Sequence, residues 1–349
     1  LTINIIPHNS DIEKLPDYIK KITEINFDAL IISDPGVYML VREQLPDKEL
    51  HLSTQANNTN WVSAAFWHRH GFKRVILARE LCLQEIKEMH DKTPEGLDLE
   101  VFVHGSMCIS HSGRCLLSNY LTGRDSNRGQ CTHPCRWKYY LVEETRPGKY
   151  IPIMEDENGT YIMNSKDLCM IEHIPELIDA GVRSFKIEGR IKSAFYVASV
   201  VKAYRHAIDS YYENPDLYRL DPYWMEELKK AGNREYTTGF FFGKPGKDEQ
   251  TYDSASNISE YDFVGIVRSF DKTTGYAEIE QKNKMQRGDE VEILTPKGRH
   301  LSYTIDKMLD ADRIPIVSAA HGKMTVYMPF EHELEEYSML RMKKLCGGT

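Results

Sequence analysis

Residues 51–77 read HLSTQANNTNWVSAAFWHRHGFKRVIL and contain one complete strand–helix–strand unit. The short segments His51–Thr54 and Arg74–Leu77 predict strands, and the amphipathic pattern of Asn58–His70 predicts a helix between them. Two strands joined by a helix run parallel, because the long crossover returns the chain to the same end of the sheet. This unit therefore predicts a parallel sheet with helices packed on it.

The same unit recurs through the first two hundred residues. Further strands are predicted at Thr2–Ile6, Ala29–Ser33, Leu99–Val103 and Ser184–Ile187, and further helices at Asp11–Ile25 and Leu83–His90. No glycine-rich nucleotide loop follows these strands, so the pattern favours a TIM-type (β/α) barrel over a Rossmann sheet. The predicted strands are fewer than a closed barrel needs, and the chain opens at Leu1 inside an apolar run. The sequence therefore predicts an α/β protein whose barrel lacks its first two strand–helix units.

The regular alternation breaks at residues 104–165, which contain most of the cysteines and then a predicted β-hairpin. We assign residues 1–212 to the barrel domain, with this insertion at 104–165 and a long final helix at Ser193–Tyr212. Residues 213–261 are rich in Pro, Gly, Asp and Tyr and predict a linker with one helix at Pro222–Ala231. Residues 262–349 contain short alternating segments such as GYAEIEQ and TVYMPF, which predict a small all-β barrel.

Charge and hydropathy narrow the class of protein. The net charge of −8 argues against a general nucleic-acid coat protein, which would be basic. No apolar run approaches the roughly 20 residues of a membrane span, and no signal peptide is present, so we expect a cytoplasmic protein. Residues 101–150 nevertheless carry seven Lys and Arg against three acids. This local excess of positive charge could bind an anion or a short piece of RNA, or it could belong to a solvated basic loop.

The chain has seven cysteines, and four of them follow the spacing Cys108-x6-Cys115-x15-Cys131-x3-Cys135. Clustered cysteines without a secretory signal favour metal or redox chemistry over disulfides. Four thiolates can hold zinc or an iron–sulfur cluster, and the irregular spacing favours the cluster. Neighbouring glycines allow backbone N–H groups to approach the sulfurs. Cys169 is a competing ligand, although its position at the start of a predicted helix favours a small buried side chain.

Several of these segments together resemble the signature of the collagenase-like peptidase family. They are EVFVHGSMCISHSGRCLLS (Glu100–Ser118), RGQCTHPCRW, MNSKDL and FKIEGR (Phe185–Arg190), and the resemblance extends through nearly the whole chain. The arrangement looks most like the family's tRNA 5-hydroxyuridine branch. The resemblance implies the barrel fold and prephenate-dependent hydroxylation of the tRNA wobble uridine. It also implies a 4Fe-4S cluster on Cys108, Cys115, Cys131 and Cys135, with tRNA, prephenate and a homologous protein as partners.

Candidate site residues follow from the predicted barrel, because functional groups gather at the C-terminal ends of barrel strands. We select His104 and Glu188 as catalytic candidates. The candidate substrate ligands are Gln55, Arg79, Arg136 and Arg190. Arginine binds carboxylates through two parallel hydrogen bonds, which suits the dicarboxylate prephenate. The alternatives are that His104 is a loop histidine bonded to backbone, and that Glu188 and Arg190 form a structural pair.

Two other functions remain open. The family name implies a peptidase, but the chain has neither a His-Glu-x-x-His nor a Gly-x-Ser-x-Gly motif. The third function is non-catalytic RNA binding with a structural zinc ion on the cysteines. From Glu260 onward the chain carries 13 Lys and Arg against 15 Asp and Glu, so RNA docking there would depend on shape or specific contacts.

Overall fold

The computed structural model divides into two compact units, each built from two separate segments of the chain. The first unit consists of Leu1–Glu188 and Arg234–Ser256, and the second of Gly189–Asn233 and Asn257–Thr349. The structure describes residues 1–107, 115–136, 140–142, 150–152, 164–190, 192–232, 235–244, 250–251 and 260–344.

The first unit contains short helices and strands that alternate along much of its length. Its helices are α1 (Asn9–Ile12), α2 (Leu15–Ile22), α3 (Pro35–Gln44), α4 (Trp61–Arg69), α5 (Leu83–Lys92), α6 (Leu117–Thr122) and α7 (Ile174–Asp179). Its strands are β1 (Thr2–Ile3), β2 (Ala29–Ile32), β3 (Glu49–Leu52), β4 (Phe72–Ile76), β5 (Asp98–Ser106), β6 (Tyr140–Val142), β7 (Tyr150–Pro152), β8 (Asn164–Ser165), β9 (Asp167–Cys169), β10 (Val182–Ile187), β11 (Tyr236–Thr237) and β12 (Gln250–Thr251). Single 3-10 turns lie at Thr54–Ala56, Ser126–Arg128, Pro134–Arg136 and Ile171–His173.

A largely parallel sheet forms the centre of the first unit. Strands β1 to β5 lie side by side in chain order, each parallel to the next. Strand β10 is parallel to β5, whereas β9 pairs with the end of β5 in the antiparallel direction and β11 follows β9. The α/β class is therefore confirmed. No pairing between described strands closes this sheet, so the barrel and its two missing units stay predictions.

The two faces of this sheet differ in chemistry. Leu52, Val75 and Leu99 are adjacent in register, and all three are fully buried on one face. Side chains alternate between faces along a strand, so Arg74 and Glu100 point to the opposite face. That second face carries the charged and aromatic groups of the candidate site.

Proline and capping residues fix where the early helices begin. The predicted single helix Asp11–Ile25 is wrong, because Pro16 can occupy only a first turn and therefore separates α1 from α2. Helix α3 was not predicted. It begins at Asp34, whose carboxylate accepts the N–H groups of Gly36 at 2.8 Å and Val37 at 3.0 Å. The core of the predicted hairpin is present as the antiparallel pair β6–β7.

The second unit combines two helices with an antiparallel sheet. Its elements are α8 (Ala194–Glu213), a 3-10 turn at Pro215–Leu217, α9 (Pro222–Lys230), β13 (Tyr261–Asp271), β14 (Tyr276–Gln281), β15 (Met285–Gln286), β16 (Glu290–Leu294), β17 (Leu301–Thr304), β18 (Met308–Leu309), β19 (Pro315–Ile316), β20 (Ser318–Ala319), β21 (Thr325–Pro329) and β22 (Met339–Lys343). The main sheet has the order β17-β16-β22-β13-β14-β21-β18-β19. Val264, Val291, Met328 and Leu340 come from strands across it and meet in one core, so the sheet curls around that core.

Helices α8 and α9 belong with this sheet. Phe195 of α8 stacks on Phe263 of β13 with ring centroids 5.6 Å apart, and Lys202 donates to the carbonyl of Thr295 at 2.6 Å. The second unit includes residues from Gly189 and again from Asn257, whereas the predicted boundaries lie at residues 212 and 261. Among the described residues, no helix is long and apolar enough to cross a membrane.

A buried ion network joins α9 to the sheet of the second unit. Arg341 is fully buried, and its guanidinium donates to Glu227 at 2.5 Å and also to Glu292. The Nδ1 atom of His300 lies 2.8 Å from Glu227. Within the described part of the chain, Glu227, Glu292 and His300 are the one set of side chains close enough to share a metal ion. The arginine supplies the positive charge among them, so we assign the network a structural role.

Candidate functional site

Polar side chains link the C-terminal ends of the parallel strands in the first unit. Asn4, just after β1, donates to the hydroxyl of Ser53 at 3.0 Å and accepts at its carbonyl from Ser33 at 3.1 Å. Thr54, after β3, donates to the carbonyl of Leu77 at 3.1 Å. We call this end of the sheet the polar rim (Asn4, Ser33, Ser53 and Thr54). It lies where a parallel α/β sheet places functional groups.

Residues 115–136, which we call the cysteine segment, fold back on themselves. Near its start, the hydroxyl of Ser118 accepts the backbone N–H of Thr132 at 3.1 Å. The carbonyl of Cys115 accepts from Ser126 at 2.7 Å and from Asn127 at 3.1 Å. These bonds bring the two ends of the segment, each with candidate ligands, close together.

The cysteine segment is anchored beside the polar rim, on residues that follow β1 and β3 and on helix α1. The carbonyl of Asn127 accepts the backbone N–H of Ile6 at 3.3 Å and the side-chain amide of Gln55 at 3.4 Å. Arg128 forms a two-point ion pair with Asp11, and one of its contacts is 2.7 Å long. The hydrogen bond from Arg128 lowers the pKa of the Asp11 carboxyl far below its usual value. The segment therefore lies over the C-terminal ends of β1 and β3.

Three of the four predicted ligands belong to this segment. Cys115 and Cys135 are buried, with 8% and 9% of their surface exposed, and Cys131 is partly buried. The sulfur of Cys131 accepts the backbone N–H of His133 at 3.4 Å. All three are free thiols. Cys108 lies outside the described residues. Soft, partly shielded sulfurs are the donor type that zinc and iron–sulfur clusters use, although these three sulfurs do not all lie within 4.8 Å of one another.

The structure brings the two catalytic candidates together. His104 is within β5 rather than in a loop, only 1% of its surface is exposed, and its carbonyl accepts the N–H of Glu188 at 2.9 Å. Its ring lies 5.4 Å from that of Tyr236, measured between centroids. Cys169 stands directly opposite His104 in strand β9, so its predicted place at a helix start is wrong.

Gly105 permits the close approach of β5 to Glu188. Its φ is +105°, and a Cβ there would lie 2.5 Å from the carbonyl oxygen of Glu188. Gly105→Ala is expected to lower the free energy of unfolding by more than about 2 kcal/mol, because it adds a clash to backbone strain. Urea unfolding measures this change. Gly96→Ala is the matched control, since Gly96 has φ +85° and no atom near its added Cβ. Equal losses in both variants would show that the contact with Glu188 is unimportant.

The four predicted substrate ligands lie in different parts of the structure. Arg79 donates to the carbonyl of Ser106 at 2.7 Å, and its guanidinium lies 3.8 Å from the centre of the Phe102 ring. Gln55 contacts the cysteine segment, as described above. Arg190 is an exposed residue of the second unit. Arg136 ends the 3-10 turn at Pro134–Arg136, and its side chain lies outside the described part. The structure therefore places Gln55 and Arg79 at the strand ends of the first unit.

Glu100 is a buried charge that sequence reasoning missed. Its carboxylate accepts from Lys186 and from Ser184, both at 2.8 Å, and pairs with Arg74 at 3.4 Å. Burial raises the pKa of Glu100, but Lys186, Ser184 and Arg74 outweigh burial and hold that pKa below its ordinary value. Glu100 lies in β5, four residues before His104. An acid inside the apolar run of β5 was the available signal.

Comparison with known proteins extends these observations. The family model described as peptidase family U32 matches residues 1–251, and the model of the U32 C-terminal domain matches residues 259–341. A tRNA hydroxylation protein P1 of Bacillus subtilis is 40% identical over 99% of this chain and 81% of its own length. A tRNA hydroxylation protein P of Escherichia coli is 37% identical over 100% of this chain and 84% of its own. A 23S rRNA 5-hydroxycytidine synthase of Escherichia coli is 34% identical over 74% of this chain and 38% of its own.

Proposed function

The chain belongs to peptidase family U32, and we propose that it is an RNA-modifying enzyme that hydroxylates the wobble uridine of tRNA with prephenate as co-substrate. Similarity over nearly the whole chain to proteins named for tRNA hydroxylation carries this proposal. The anchored cysteine segment supports it, because hydroxylation at a pyrimidine carbon is redox chemistry. We place the protein in the cytoplasm with tRNA, and a homologous protein is a proposed partner.

We assign a 4Fe-4S cluster to the cysteine segment. Cys115, Cys131 and Cys135 would hold it, and Cys108 is the proposed fourth ligand. When bound, such a cluster supplies or accepts electrons at a potential set by its surroundings. The burial of Cys115 and Cys135 shields their sulfurs from water, and the N–H of His133 would offset charge on Cys131. Structural zinc on the same thiols is the alternative that metal analysis distinguishes.

The chain's own polar groups would bind and orient the substrates. Prephenate is a dicarboxylate, and Arg79 is a suitable ligand because Phe102 and Ser106 hold its guanidinium in place. Arg136 and Arg190 are proposed as further carboxylate ligands, and Gln55 as a ligand of the substrate. Replacing hydrogen by hydroxyl at C5 of the uridine is a two-electron oxidation that consumes an oxygen donor and a two-electron acceptor, and a base must take up the proton released from C5. We propose His104 or Glu188 for this role.

The family's name favours a second candidate function, peptide hydrolysis. His68 and His70 are the paired histidines of the sequence, and each lies near a backbone carbonyl, at 3.1 Å and 2.9 Å. Both rings are thus engaged locally in or beside α4. Neither histidine belongs to a set of three potential metal ligands among the described residues. An assay with casein or gelatin tests the candidate directly.

The proposed function is tested in a strain that lacks the chromosomal gene. The wild-type protein is expected to restore a tRNA wobble uridine that is heavier by one oxygen in mass spectrometry. His104→Gln should lower this product at least about 100-fold if the imidazole transfers the proton. His68→Gln is the control, because His68 lies on α4 away from the polar rim. Failure of the wild-type protein to restore the modification would overturn the proposal.

A further inference from the structure

A cleft of about 460 Å³ opens on the surface of the second unit. Its walls come from α8, from Trp224 of α9, from the turn that follows β16, and from residues just before and in β22. Three cationic side chains line it, Lys202, Arg205 and Lys297, with one acid, Asp209. The cleft is therefore cationic within a chain whose net charge is −8.

Lys202 lies at the inner side of this cleft and is held in one position. Its ammonium donates to the carbonyl of Thr295 at 2.6 Å. Burial lowers the pKa of Lys202 to about 8, with Glu227 opposing the shift and Arg341 adding to it. The group still carries its proton at neutral pH. Arg205 is exposed and forms a surface ion pair with Asp209 at 2.5 Å, an arrangement that is weak and open to exchange.

Apolar and aromatic groups lie beside these cations. Val201 and Tyr337 line the cleft with 47% and 58% of their surface exposed. The ring of the exposed His206 lies on the buried Trp224 with centroids 4.4 Å apart. Cations next to an exposed aromatic ring match the two halves of a nucleotide, because phosphate needs positive charge and the base needs a stacking surface.

We propose that this cleft is a second RNA-binding site, which holds one or a few unpaired nucleotides of the tRNA outside the region of the cysteine segment. Lys202, Arg205 and Lys297 bind phosphate, and Val201 and Tyr337 contact a base. The choice of tRNA as ligand rests on the proposed function; the preference for a nucleotide rests on the cleft itself. Such a site adds affinity for the RNA without taking part in the chemistry.

The test compares two double variants with equal loss of charge. Arg205→Ala/Lys297→Ala is expected to raise the Kd for tRNA about tenfold and to reduce its salt dependence by about one to two phosphate contacts. Lys229→Ala/Lys272→Ala is the control, because both lysines are exposed members of surface ion pairs in the same unit and neither lines the cleft. Equal affinity and salt dependence in the two double variants would overturn the proposal.

Two further readouts separate this inference from the proposed function. Tyr337→Asn should weaken binding of a single-stranded oligonucleotide about fivefold or more, and asparagine tolerates the left-handed φ of +67° found there. Unchanged binding would remove the stacking role. If wild-type protein restores hydroxylation while the cleft variants bind tRNA normally, the cleft proposal fails and the proposed function stands. If the cleft variants lose affinity for tRNA but wild-type protein restores no hydroxylation, the proposed function fails and the cleft proposal stands.

Discussion

Replacing Cys131 with serine is expected to remove most of the bound iron and to abolish tRNA hydroxylation. A serine hydroxyl is a poor ligand for iron at neutral pH, because the metal requires a soft, ionised sulfur. From about four irons per chain in the wild type, the variant should retain less than about one. Anaerobic purification followed by iron and sulfide assays and a visible spectrum measures this loss. Mass spectrometry of tRNA from the deletion strain measures the loss of product.

Cys82→Ser is the matched control for this experiment. Cys82 precedes α5 as its N-cap residue, where serine is at least as favourable as cysteine. We expect unchanged iron, unchanged colour and unchanged hydroxylation in this variant. One zinc per chain without colour in the wild type would reject the cluster, and with it the redox chemistry. The cysteine segment would then be a structural site, and the protein an RNA-binding one.

Arg341→Met is expected to cause the largest loss of stability in the second unit, roughly 3–5 kcal/mol in the free energy of unfolding. The methionine removes the buried cation that pairs with both Glu227 and Glu292, and leaves Glu227 with the partly exposed Lys230 at 2.9 Å as its remaining cation. Urea unfolding monitored by tryptophan fluorescence measures the change. Lys229→Met is the control, because it removes only the exposed pair with Glu226 and should change stability by less than about 1 kcal/mol.

The pH dependence of stability provides an independent check of the same network. Burial raises the pKa of Glu227, but His300, Lys230 and Arg341 outweigh burial and lower it to about 2, from an ordinary value of 4.5. A lowered folded-state pKa adds stability above the unfolded-state pKa, and this stability is lost as the pH falls from 4.5 towards 2. Arg341→Met/Glu227→Gln should recover part of the loss seen in Arg341→Met and flatten this acid dependence. An unchanged acid profile would show that Glu227 is not the group that titrates.

The sequence predicted the repeated strand–helix unit because its signals are local. Short apolar segments such as those at Ala29–Ser33 and Ser184–Ile187 signal a strand through near neighbours alone, and strands are found at both. The predicted helix boundaries were wrong where a single residue, such as Pro16, interrupts an amphipathic pattern. The pairing of β9 with β5 runs against the direction of the parallel strands, and no local pattern encodes it.

The candidate site, like the fold, was predictable where its signal is local in the sequence and not where it depends on distant contacts. The cysteine spacing identified the segment, since a metal ligand set leaves a signature in the chain itself. The contacts that anchor the segment were not visible, because Arg128 meets Asp11 from 117 residues away. From the sequence alone, Arg341 would be expected to be an exposed residue of a strand. Its burial depends on Glu227 and Glu292, which only the folded second unit brings to it.

The division of the first unit into two chain segments has a consequence for its synthesis. Strand β11 (Tyr236–Thr237) pairs with β9, yet residues 189–233 of the second unit are translated between them. At about 5–20 residues per second, the ribosome needs several seconds to deliver β11 after β9 has emerged. During that interval the edge of β9 is an open template for other chains. The first unit therefore stays incomplete at this edge of its sheet until residues 236–237 have been translated, and the shortness of β9 limits what other chains can pair with it in the meantime.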